Sequence, residues 1–223
     1  MPTLQTQYDG TIWHTTVGTT EDYLPRVNDT SSDIYSYIVR DDSDDVDGYV
    51  SAGKSSCVGG SCLITAARHF VEYDTSAITR VPASATVKFF GSDNTFTSAT
   101  MVCIETEWDG TLSTDDWNNH NESSPIAYTS IGGITYNAFE YLSFTIAGLN
   151  AIASRDTFQM VCVEALYDYT QTEPADNTFH RNNFFQNSMS TGAYDIDLSY
   201  GIRPSDKISS GKVIISSGKV TIK

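Results

Sequence analysis

Short stretches in which apolar residues alternate with polar ones, or run together for a few positions, recur along the chain. They are Thr11–Val17, Ile34–Val39, Tyr49–Ala52, Arg68–Tyr73, Ala85–Phe90, Ala99–Trp108, Tyr141–Ile146, Thr157–Tyr167 and Tyr194–Tyr200. Successive side chains of a strand point to opposite faces, so a period of two predicts half-buried strands. Turn-forming pairs lie between them, among them Asp47-Gly48, Gly59-Gly60, Asp109-Gly110 and Gly132-Gly133. A single short helix fits the pattern, Ala147–Ser154, where Leu149, Ile152 and Ala153 share a face. Strands this numerous at this spacing predict an all-β fold, an antiparallel β-sandwich of the jelly-roll kind.

The end of the chain repeats itself. Ile208-Ser209-Ser210-Gly211-Lys212-Val213-Ile214 returns at a seven-residue offset as Ile215-Ser216-Ser217-Gly218-Lys219-Val220-Thr221. Lys212–Ile215 and Lys219–Ile222 read as two strands of a short C-terminal β-hairpin across a three-residue Ser216-Ser217-Gly218 loop. A lone hairpin is marginal in water, so Val213, Ile215, Val220 and Ile222 need something to pack on. The organisation expected is an N-terminal arm with the first strand (1–29), a sandwich (30–202) and an assembly tail (203–223). Residues 109–125 and 170–193 read as long polar connections. Phe179, Phe184 and Phe185 in the second of these suit a binding rim or an inter-subunit contact, or else fold back over the end of the sandwich.

Composition supports the strands and adds an asymmetry of charge. Hydrophobic residues make up 39% and charged residues only 18%, with 13 Tyr and 10 Phe, so strand formers outweigh the stock of surface helices. The net charge of −15 argues against nucleic acid and anionic membrane as partners, because phosphate contacts need clustered Lys and Arg. Residues 203–223 nonetheless hold five basic groups (Arg203, Lys207, Lys212, Lys219, Lys223) against Asp206. The tail is therefore +4, and residues 1–202, with 8 basic and 27 acidic side chains, are −19. No run is long enough to insert in a membrane. The first residues, Met1-Pro2-Thr3-Leu4-Gln5, lack the pattern of a secretory signal, which predicts synthesis in the cytoplasm.

Candidate chemistry is sparse. Asp41, Asp42, Asp44, Asp45 and Asp47 crowd ahead of Gly48, and clustered oxygens suit calcium. Lys54 occupies the position where an EF-hand needs Glu, so the choice lies between another kind of calcium loop and a solvated acidic tip. Glu105, Glu107 and Asp109 alternate along one strand, as the paired carboxylates of a glycosidase do, and equally as the wet face of a sheet does. The four histidines are scattered, and no nucleophile motif or phosphate-binding glycine loop is present. No catalytic residue and no cofactor beyond calcium is expected. Cys103 and Cys162 sit within apolar strands as small buried hydrophobes, whereas Cys57 and Cys62 bracket a flexible loop that could close a disulfide.

The stretch Arg68-His69-Phe70-Val71-Glu72-Tyr73-Asp74-Thr75-Ser76-Ala77-Ile78, followed by Pro82-Ala83-Ser84-Ala85-Thr86-Val87, resembles the DNRLRE-type β-sandwich domain, itself similar to carbohydrate-binding-module jelly rolls. Trp108, Trp117, Phe144-Thr145-Ile146 and Tyr194–Tyr200 fit the same pattern more loosely. The resemblance implies a fold and little chemistry. A stand-alone sandwich with a repetitive tail also looks like a bacteriophage virion component, such as a decoration, head-fibre or tail accessory protein made in the host cytoplasm. That style implies a non-catalytic subunit whose partners are coat subunits or further copies of itself, with Lys212, Val213, Ile215, Lys219, Val220 and Ile222 as the joining residues. The alternative is a carbohydrate-binding or adhesion module that stacks a cell-surface glycan on Trp108, Trp117 and Tyr128. A glycan-active enzyme is the third reading.

Overall fold

The computed structural model describes residues 2–18, 35–40, 48–55, 58–59, 61–93, 100–108, 112–118, 125–128, 137–184, 192–201, 213–216 and 219–222. One sheet takes in β1 (Thr3–Leu4), β2 (Thr6–Gly18), β3 (Tyr35–Arg40), β4 (Gly48–Lys54), β5 (Cys62–Asp74), β6 (Ser84–Asp93), β7 (Met101–Glu105), β8 (Ala127–Tyr128), β9 (Phe139–Phe144), β10 (Thr157–Glu164), β11 (Thr178–Phe184) and β12 (Ile196–Ser199). A separate ladder pairs β13 (Val213–Ser216) with β14 (Lys219–Ile222). All these pairings are antiparallel, and the protein is an all-β sandwich.

The sheet curls on itself. Its hydrogen-bonded order runs β1-β12-β6-β11-β4-β5-β10-β7-β8-β9, and β9 then pairs back with β6. β5 is the hub: one edge is covered along its length by β2, and the other is shared between β4 and β10. Within the expected arm and first strand (1–29), residues 3–4 and 6–18 pair into the sheet as β1 and β2, and residues 19–29 lie outside the described residues.

Period two explains the packing, with an addition. On β5, β7 and β10 both faces are apolar. Val71, Tyr73, Met101, Cys103, Phe158, Met160 and Cys162 face an inner core, which β6, β9 and β12 close with Val87, Phe89, Leu142, Phe144, Ile196 and Leu198. Phe70, Val102, Ile104, Val161 and Val163 face the opposite way. That second face would be wet if no chain crossed it. Trp108, Leu112 and Trp117 seal it, and the segment after β7 is thereby pulled into the core.

Helix α1 (Ile146–Ser154) joins β9 to β10 and starts one residue earlier than its pattern suggests. Thr145 caps it, its hydroxyl accepting from the Gly148 amide at 3.3 Å. Gly148 itself is forced by close approach, because a Cβ there would lie 2.6 Å from the Ile126 carbonyl oxygen. The Asp74-Thr75-Ser76 turn forms as read: Asp74 accepts from the Ser76 amide (2.9 Å) and hydroxyl (2.6 Å), which holds its carboxyl below the usual range.

Two expectations are corrected. The polar connection 170–193 contains β11, a strand bonded to β4 over seven residues and to β6 at its end. Phe179 there stands opposite Gly53 and lies where a Gly53 side chain would be, 2.4 Å from an ideal Cβ, so it folds back onto the sheet. The strand expected over Thr157–Tyr167 stops at Glu164. The Glu164 carboxylate accepts from the amides of Leu166 (3.1 Å), Tyr167 (2.6 Å) and Asp168 (3.3 Å), and so turns Ala165–Tyr169 into a single π-helical turn.

Candidate functional site

Most of the polar chemistry that the sequence displays is consumed inside the fold. Arg68 is 1% exposed and forks onto Asp168, Nε to Oδ2 at 2.9 Å and Nη2 to Oδ1 at 2.6 Å. Its Nη1 donates to the Trp117 carbonyl (2.5 Å) and the Asn118 amide oxygen (3.2 Å), while the guanidinium lies 4.1 Å from the Trp117 ring. This knot pins the segment after β7 to the π-turn after β10. Beside it Glu164, fully buried, meets His180 at 3.2 Å.

The acids of the Glu105–Glu107 alternation converge on one cation. Arg155, just past α1, pairs ionically with Glu105 at 2.6 Å and donates to Glu107 through its Nη1. Burial opposes the charge on Arg155, but the two carboxylates outweigh it and raise its pKa. The bridge of Arg155 to the two carboxylates forms a clasp between the end of β7 and the end of the helix. Lys54 is likewise taken up by Glu173 (2.7 Å) and Asp176 (3.1 Å).

A polar row crosses the inner core. Thr11, His69, Cys162 and Cys103 stand opposite one another on β2, β5, β10 and β7. The Thr11 hydroxyl bonds His69 Nδ1 at 3.0 Å, Asp9 lies 4.0 Å from His69 Nε2, and the ring of Tyr194 lies 4.8 Å away. Burial pushes the His69 pKa down to about 3. With no exposure at Asp9, Thr11 or His69, the row has no route to a substrate.

The glycan platform does not stand at the tryptophans. Trp108 is 6% and Trp117 3% exposed. Their rings pack on Phe70 (5.7 Å) and His14 (5.9 Å), because the second face of the β5–β10–β7 sheet needs a cover. A ring sealed in a core has no face to lend to a sugar. Tyr128 lies in β8, opposite Val102 and Ser143. A cleft of about 420 Å³ opens beside β1 and β12, between Leu4, Ile78, Leu198 and Tyr200, with the Arg80 guanidinium 4.4 Å over the Tyr200 ring.

The acidic group Asp41, Asp42, Asp44, Asp45 and Asp47 lies outside the described residues, as do Cys57 and Lys212. Among the described residues, no three or more His, Cys, Asp or Glu side chains are grouped to hold a metal ion. Cys62 is disulfide-bonded, and Cys103 and Cys162 are free thiols.

The tail forms the hairpin its repeat predicts, one residue out of the expected frame. Val213 pairs with Ile222, Ile215 with Val220 and Ser216 with Lys219. The extra Ser216–Lys219 rung shortens the connection to two residues. The expected joining residues Val213, Ile215, Val220 and Ile222 thus stand in register as two directly opposite pairs. What the fold defines is an all-β antiparallel protein whose residues 213–216 and 219–222 pair in a separate two-stranded ladder. No protein-family model matches the chain, and no curated protein matches it.

Proposed function

We propose that this protein is a non-catalytic structural subunit that works by assembling with copies of itself and with coat proteins, as virion decoration, fibre or tail accessory proteins do. The observation that carries the reading is the β13–β14 ladder, which is bonded to itself and forms a sheet apart from the twelve-stranded one. Its strands are rich in Val and Ile, the segment 203–223 carries +4, and residues 1–202 carry −19. An acidic sandwich in a neighbouring subunit is an electrostatically suitable dock, and strand addition at a sheet edge is the usual way a short β-segment joins a partner. The use of Arg68, Glu105, Glu107, Glu164 and Asp168 in ties between elements of the fold agrees with a scaffold.

The test compares the full chain with a chain ending at Gly201, by size-exclusion chromatography with light scattering. The full chain self-associates, and the shortened one is a monomer that still unfolds cooperatively. A monomeric full chain, normal assembly of the shortened chain, or its failure to fold overturns the reading.

A further inference from the structure

Cys103 and Cys162 face each other on adjacent strands of the inner core, with both side chains fully buried. The rung they occupy matters. Thr106 donates to the Gln159 carbonyl at 3.2 Å and Ala165 to the Thr100 carbonyl at 2.9 Å. Bonded and non-bonded rungs alternate in an antiparallel pair, which places Cys103–Cys162 on a non-bonded rung. The Cys103 carbonyl agrees, since it turns away to accept from the Ile126 amide at 2.8 Å. On non-bonded rungs the Cα atoms approach to about 4.5 Å, at the short end of the range a disulfide spans. The two sulfurs lie 2.9 Å apart, within about 1 Å of a covalent S–S bond.

We propose that Cys103 and Cys162 close into a cross-strand disulfide that staples β7 to β10 through the inner core. Cys62 is disulfide-bonded in the same structure, so Cys103–Cys162 would be a second cross-link. The chemistry is thiol–disulfide exchange with a small disulfide such as oxidised glutathione. One cysteine thiolate attacks a glutathione sulfur and releases glutathione thiolate. The second cysteine then attacks the mixed disulfide, forms the Cys103–Cys162 bond and releases the other glutathione. Two electrons and two protons pass from the protein to glutathione. Burial raises the Cys162 pKa, with Cys103 adding to it, and both sulfurs are sealed from solvent. The exchange therefore belongs to folding, before β7 and β10 close, and the reduced native protein resists it.

The test refolds the full chain from its reduced, denatured state, once in oxidised and reduced glutathione and once in excess reductant. Digestion without reduction and mass spectrometry then find the Cys103 peptide joined to the Cys162 peptide, two hydrogens lighter than their sum. The bond closes a 59-residue separation, for which chain entropy predicts a rise in Tm of about 10 °C. A Cys103→Ala/Cys162→Ala chain, which keeps the Cys62 disulfide, should show a smaller gap between oxidised and reduced Tm by that amount. Quantitative alkylation of both thiols after oxidative refolding overturns the proposal, and so does a glutathione adduct in place of the cross-link. The peptide map of the unmodified chain decides the matter even if the double variant does not fold.

Discussion

The Tyr73 hydroxyl donates a 2.6 Å hydrogen bond to the backbone carbonyl of Tyr194. Tyr194 sits at φ 63°, a left-handed conformation that a bulky residue adopts only when its surroundings hold it there. Both side chains have no exposure, and the Tyr194 ring is wedged between His69 (4.8 Å) and Phe89 (5.3 Å). Tyr73→Phe keeps the ring and removes this bond, so stability should fall by about 0.5–1.5 kcal/mol. Urea unfolding of the two proteins measures this, and equal midpoints would show that the bond carries no weight.

The Arg68–Asp168 pair should be intolerant of losing one partner. Asp168→Ala leaves a buried guanidinium uncompensated and should cost about 3–5 kcal/mol, whereas the double change Arg68→Met/Asp168→Leu should recover much of it. A double-mutant cycle on chemical denaturation checks the coupling.

Acid should weaken the fold through His69. Its folded pKa of about 3 lies below the unfolded value of about 6.5. Between these values the unfolded chain binds a proton that the folded chain refuses. The contribution is therefore whole above pH 6.5 and is lost as pH falls toward 3, with a slope of up to about 1.4 kcal/mol per pH unit. His69→Gln should unfold with a shallower pH dependence across that window, read from urea midpoints at pH 7 and pH 5.

The clasp at Arg155 makes a prediction of the opposite kind. Glu105→Gln/Glu107→Gln loosens a largely exposed ion pair and should change stability by no more than about 1 kcal/mol, leaving self-association unaltered. A glycan-cleaving activity that vanished in this variant would refute the non-catalytic reading.

Strands were legible where period two or a short apolar run was strong, and each of the nine patterned stretches has a strand within it. β11 was not. Its Thr-Phe-His-Arg-Asn-Asn-Phe sequence has no apolar alternation, and its place comes from ladders on both edges, with Asn182 and Asn183 buried. Trp108 and Trp117 were visible as residues, but which side of a wall an aromatic ring lies on is decided by the far strands that leave a second face bare. Arg68 stood out as a charged residue inside an apolar strand pattern. Its partner lies 100 residues on, and no local spacing announces a pair of that reach. The acidic alternation Glu105–Glu107 was also plain to see, yet its meaning came from Arg155, 48 residues beyond Glu107.

The sheet has one further property, which concerns time. β1 pairs with β12 through Thr3↔Asp197 and Leu4↔Ile196, and the Thr3 hydroxyl bonds Asp197 at 2.9 Å across a separation of 194 residues. A ribosome adding roughly 5–20 residues per second needs about 10–40 s to go from one to the other. For that interval the nascent chain carries a strand whose mate does not yet exist, and this rung can close only once Asp197 has been translated.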